Sequence, residues 1–207
     1  MELREALAQI SAIRSQLART EVFRGYRAAP VAFSGLLAFA AAAVQEAWVP
    51  EPARQERAYL GLWLGAAAIA AVVSGVGMVV RNRLVGASWA RRLTWLAVEQ
   101  FLPCVVAGAL LTAALVRSAP EQLRLLPGLW QILFSLGIFA SCRLLPRAIV
   151  GVAAFYLASG VVVLALAGEG RALSPWAMGV PFGVGQLLAS AVLYWNLERG
   201  DVDPTEG

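Results

Sequence analysis

Apolar and polar positions divide this chain into three zones. Over residues 1 to 22, MELREALAQISAIRSQLARTEV, the residues Leu3, Leu7, Ile10, Ile13 and Leu17 recur at steps of four, three, three and four, the repeat of one helix face. Glu2, Arg4, Glu5, Gln9, Arg14, Gln16 and Arg19 occupy the other faces. The segment therefore predicts an amphipathic helix, lying on a membrane surface or docked on a partner protein. It lacks the uninterrupted apolar run of a cleavable signal peptide. Six apolar stretches follow, at roughly 30 to 49, 59 to 80, 95 to 116, 126 to 145, 148 to 168 and 174 to 197, each near the ~20 residues that cross a bilayer core. Pro50 with Pro52, the run RNRLVGASWARR, Pro120, LLPRA and GEGRALSP separate them. The last zone, ERGDVDPTEG, is a short acidic tail. The pattern predicts an all-α integral membrane protein: a six-transmembrane-helix bundle over 30–197, preceded by an N-terminal amphipathic cytoplasmic helix and linker over 1–29 and followed by a tail over 198–207.

Composition strengthens this picture. Of 207 residues, 59% are hydrophobic and 14% charged, too apolar a balance for a domain with a charged aqueous surface. The 17 basic residues are all Arg, as codon usage in a GC-rich genome would favour. With no Lys and no His, schemes needing a Schiff-base lysine, a histidine base or histidine ligation of zinc or haem are excluded. No HExxH motif occurs and no Asp falls in a predicted span, so neither an enzyme nor a cofactor is expected. The net charge of +4 comes from Arg flanking apolar spans, not from a basic patch interleaved with aromatics, so no nucleic-acid partner is expected.

Arginine also predicts orientation. Twelve of the 17 (Arg4, Arg14, Arg19, Arg24, Arg27, Arg81, Arg83, Arg91, Arg92, Arg143, Arg147 and Arg199) fall on one side of the alternating spans. That excess marks the cytoplasmic face, which puts both termini inside a bacterial-type inner membrane. Trp48, Trp95 and Trp195 stand near span ends, where interfacial belts form. Cys104 and Cys142 lie within spans, show no CxxC spacing and are expected to be free packing residues.

The candidate chemistry is polar groups inside the spans. Glu99, in WLAVEQFLPCVV, enters the hydrocarbon by about 8 Å, and Arg143 by about 5 Å from the same face, at ~1.5 Å per residue. A carboxylate and a guanidinium at matching depth can neutralise one another, whereas a lone charge at the centre of the bilayer costs roughly 3 kcal/mol or more. The pair predicts either a gate or coupling site or, structurally, a clamp between the third and fourth spans, unless Arg143 snorkels to the headgroups instead. Gln100, Gln131 and Gln186 complete the candidate set, with Gln45 and Ser135 as further intramembrane polar groups; Gln131 and Ser135 share a helix face at i, i+4. Pro103, and Pro181 with Gly179, Gly183 and Gly185, mark the third and sixth spans as breakable, and alignment on these prolines suggests a three-plus-three repeat.

Gly61 with Gly65, and Gly179 with Gly183, form GxxxG pairs that permit close helix approach. The second span, GLWLGAAAIAAVVSGVGMVV, is mostly small residues and predicts a buried helix, within the bundle or at a homo-oligomeric contact. The stretch RAAPVAFSGLLAFA resembles the first helix of bacterial relatives of the lysosomal six-span potassium channels, but Gly35 stands where that motif carries Asp after Phe-Ser, so the resemblance assigns no family. Two functions follow from the residues: a transporter or channel subunit using Glu99, Gln100, Arg143, Gln131 and Gln186, narrowly favoured, or a non-catalytic regulator, anchor or assembly subunit acting on a partner through residues 1–22. The lipid bilayer is the one partner common to both.

Overall fold

In the computed structural model, residues 28–85, 88–169 and 171–198 are described, so the amphipathic segment 1–22 and the tail from 199 onward lie outside the described residues. Six long helices cross the fold: α1 (Ala28–Trp48), α2 (Glu56–Val85), α3 (Ser88–Ser118), α4 (Leu126–Ser141), α5 (Ile149–Ala165) and α6 (Pro175–Leu193). A 3-10 segment at Pro120–Leu125 leads into α4, another at Cys142–Leu144 ends it, and a third at Leu166–Glu169 ends α5. A π-helical turn over Tyr194–Glu198 extends α6. Each of the six, α4 and α5 together with their flanking 3-10 segments, meets the length and hydropathy of a membrane span. The predicted spans agree within a few residues, except that α2 and α3 run on to Val85 and from Ser88 and are the longest helices.

Pro175 at the start of α6 stands where a missing N–H costs nothing. Pro103 and Pro181 lie inside α3 and α6, and both helices run through them as single elements, so neither is the broken helix the sequence suggests. Neighbouring helices and local adjustment of the bonding ladder make such prolines tolerable in a span.

The helices are unequally enclosed. α1 packs most heavily on α6 and α4 on α5; α3 leans on α4, α2 on α1, and α2 and α3 barely touch each other. Within the apolar windows, 33% to 44% of residues are buried in α1, α4, α5 and α6, against 6% in α2 and 11% in α3. The expectation that α2 is buried within the bundle is thus overturned. Its Gly61 and Gly65 have open space where a side chain would stand, whereas Gly179 and Gly183 of α6 meet Ala42 and the Phe39 ring of α1. The α4–α5 seam is closer still: a Cβ on Gly128 would fall 2.7 Å from the Gly160 carbonyl oxygen, and one on Gly160 2.9 Å from that of Gly128. Only glycine permits backbones to approach so nearly. Beside these seams an aromatic cluster fills the centre, with Phe134 edge-on to Phe101, Tyr156 and Phe182 at ring-centroid distances of 5.3, 4.9 and 5.5 Å.

Candidate functional site

The polar groups inside the spans fall into two sets, one near each end of the bundle. At the end formed by residues 49–55, 119–125 and 166–174, Gln45 of α1 is fully buried and fully engaged. Its Nε2 donates to the Leu173 carbonyl at 2.8 Å, and its Oε1 accepts from Trp63 Nε1 of α2 at 2.7 Å. One amide therefore ties α1, α2 and the connection before α6. In hydrocarbon such bonds have no water to compete with them, which favours keeping them made. A second tie joins α3 to α4, where Trp130 Nε1 donates to Thr112 Oγ1 at 2.9 Å and Thr112 donates to the Gly108 carbonyl at 2.7 Å.

Gln131 is buried on the face of α4 that also carries Ser135, as the i, i+4 spacing indicates. Its Nε2 donates to the Ala177 carbonyl of α6 at 2.9 Å and lies 4.0 Å from Met178 Sδ, while its Oε1 is buried with no partner among the described residues. Ser135 donates to the Ala153 carbonyl of α5 at 2.7 Å. The Tyr59 hydroxyl of α2 is likewise buried without a partner among the described residues. Gln186 is half-buried, set against Gly35 of α1 and beside the Tyr156 hydroxyl, which donates to the Phe182 carbonyl at 3.5 Å. Gln131 and Gln186 thus face neighbouring helices, each in its own setting.

At the opposite end, Glu99 and Arg143 are both exposed, and no ion pair joins them. The intrachain clamp anticipated from their matching depth is not formed, for a geometric reason. Phe101 packs into the gap at Gly137 of α4 and against Phe134, fixing the rotation of α3. Glu99, two residues back, is turned by about 200° at ~100° per residue and points away from α4. Arg143 lies beyond the end of α4 in the 3-10 turn Cys142–Leu144, which swings it outward as well. Next to Glu99, Gln100 is half-buried, with its Oε1 sealed and without a partner among the described residues.

An open groove of about 440 Å³ lies beside the connection between α1 and α2, lined by Trp48, Arg54, Gln55, Glu56, Arg57 and Ala58, with Arg54 paired to Glu51 at 3.1 Å. The sequence reading missed Tyr59, Trp63, Thr112 and Trp130 as polar participants. A tryptophan inside an apolar run reads as bulk, and its N–H becomes informative only when the acceptor on another helix is known.

No family model, no curated protein and no solved structure matches the chain. What the fold defines is a class, the polytopic all-α membrane proteins. Within that class the present chain is a six-span bundle with a tightly packed core of α1, α4, α5 and α6 and two flanking helices, α2 and α3.

Proposed function

We propose that this chain is a non-catalytic membrane subunit whose work is association within the bilayer, an assembly or scaffold role. The observation that carries the reading is the outward placement of Glu99 on the sparsely covered helix α3. A carboxylate that couples ion or solute movement faces the bundle interior or a water-filled cavity, which Glu99 does not do within this chain. The use of the interior polar groups adds support: Gln45, Ser135, Thr112 and the Gln131 N–H are all spent on bonds between helices or to their own helix backbone. The Arg distribution favours a bacterial-type inner membrane with both termini cytoplasmic, which would present residues 1–22 as a second contact to a cytoplasmic partner.

A permeation role is the second reading, favoured by the unpartnered Tyr59 hydroxyl and Gln131 Oε1 inside the bundle. Ion and proton flux in proteoliposomes separates the two. The native protein is expected to pass no more current than empty vesicles, with Glu99→Gln indistinguishable from it. Flux above that background that disappears in Glu99→Gln would overturn the assembly role and make the carboxylate a working group.

A further inference from the structure

The helix contacts sort the bundle into two halves. α1, α2 and α6 hold together, as do α3, α4 and α5, whereas the seam between the halves is carried by α5 on α6 with slight help from α4. The hydrogen bonds respect the same division: those of Gln45, Trp63 and Ser190 stay within the first half, and those of Thr112, Trp130 and Ser135 within the second. Among the described residues, two side-chain donors reach carbonyls across the seam between helices, Gln131 to Ala177 at 2.9 Å and Tyr156 to Phe182 at 3.5 Å.

These two bonds lie in unlike surroundings. Around Tyr156 the seam is aromatic: Phe134 and Tyr156 lie against Phe182, and a side chain on Gly185 of α6 would run into the Tyr156 ring. Around Gln131, toward the end that carries Gln45, it is built from smaller groups, Val163, Ala167 and Leu125 against Ala172 and Ala177, with Trp130 resting on the cluster that holds Met178. The Ala177 carbonyl is open to a side-chain donor because Pro181, four residues on, has no N–H to give it. A carbonyl only accepts, so the Gln131 amide presents its nitrogen there, and its oxygen is left buried without a partner among the described residues. The closed seam thus carries one bond that holds it and one acceptor that water would satisfy, which brings a closed and an open arrangement near in free energy. We infer that the two halves pivot on the aromatic cluster and part at the Gln45 end, with Gln131 on the Ala177 carbonyl as the latch. Such a motion is separate from the assembly role proposed above.

The test uses the full chain in liposomes, in a background of Cys104→Ser and Cys142→Ser, with Gln131→Glu as the perturbation. Protonated, the acid has the shape of the amide and donates its O–H to the Ala177 carbonyl; ionised, it has no proton to give and draws water into the seam. Spin labels at Trp48→Cys and Val116→Cys span the halves at the Gln45 end, and labels at Phe33→Cys and Val150→Cys span them at the other end. A third pair, Val116→Cys with Val161→Cys, sits within one half, and all five positions are exposed. Pulsed dipolar spectroscopy reads the three distances at about pH 5 and about pH 10, either side of the range in which a buried Glu titrates. At the lower pH the variant should match the native protein. At the higher pH the Trp48–Val116 distance should lengthen by several ångströms, reversibly, while the other two distances hold and the native protein does not change. A Trp48–Val116 distance that stays fixed after the carboxylate infrared band has appeared overturns the proposal, and so does lengthening of all three distances. If the carboxyl resists ionisation or the variant fails to fold, Gln131→Met decides: it removes the donor at every pH and should raise the open fraction about fivefold, the worth of one net hydrogen bond. Adding Pro181→Ala, which returns an N–H to the Ala177 carbonyl, should close the seam again; an open fraction that Gln131→Met does not raise, or that Pro181→Ala does not lower, overturns the latch.

Discussion

The two GxxxG pairs in this chain carry the same residues and have opposite surroundings. In α6, Gly179 and Gly183 bring the backbone against Ala42 and Phe39 of α1, and no room remains for a side chain. In α2, Gly61 and Gly65 meet nothing within 4 Å. A small-residue motif is thus permission for close approach, and the use of that permission depends on which helix comes to meet it. The same contrast divides the molecule: α1, α4, α5 and α6 lock together through glycine seams, while α2 and α3 each hold on along one side only, through Tyr59 and Trp63 on α1 and through Phe101 and the Thr112–Trp130 bond on α4.

Three sets of substitutions break or sharpen this contrast. The largest effect is expected from Gly128→Val or Gly160→Val, which forces apart two backbones in contact across the α4–α5 seam. Each should destabilise the bundle by about 3 kcal/mol, whereas Gly65→Val in α2 should change stability by less than about 0.5 kcal/mol. Unfolding of the detergent-solubilised protein, followed by circular dichroism, compares them; equal losses would erase the distinction between core and flank. Next in size is Gln45→Leu, which strips the partner from Trp63 Nε1 and from the Leu173 carbonyl. A loss of about 1 to 2 kcal/mol is expected, with α2 the first helix to gain protease or hydrogen-exchange accessibility. If α2 stays protected, it is held by something other than that amide.

Gln131→Leu is expected to have the smallest effect. It removes the bond to the Ala177 carbonyl but also an amide oxygen that is buried without a partner, so the two terms offset to within about 1 kcal/mol. A loss well above that in a thermal melt would mean that the Gln131 oxygen is engaged.

The spans were legible because length and apolarity are properties of a one-dimensional string, and the bilayer sets the required length. The shared face of Gln131 and Ser135 was legible for a similar reason, as an interval of four along one helix. Which side of an apolar helix turns inward was not legible. Lipid tails and neighbouring side chains are equally apolar, so nothing in GLWLGAAAIAAVVSG distinguishes a buried helix from a lipid-facing one. The rotation of Glu99 away from α4 had the same origin: it is set by Phe101 seating against Gly137, a contact between residues with no local signature. The pairing of Trp63 with Gln45 is likewise a relation between two helices and not a property of either.

The dominance of the α1–α6 contact has a consequence for biosynthesis. Ser190 donates to the Ala28 carbonyl across 162 residues, and Gln45 reaches Leu173 across 128. At ~5–20 residues per second, a ribosome that has completed Ala28 needs on the order of ten to thirty seconds to deliver Ser190. Through that interval the glycine-matched face of α1 is already in the membrane without its principal neighbour. α2, clipped to it by Trp63, is the first helix available to keep it company, so the loosely held flank of the finished fold doubles as the early escort of its first helix.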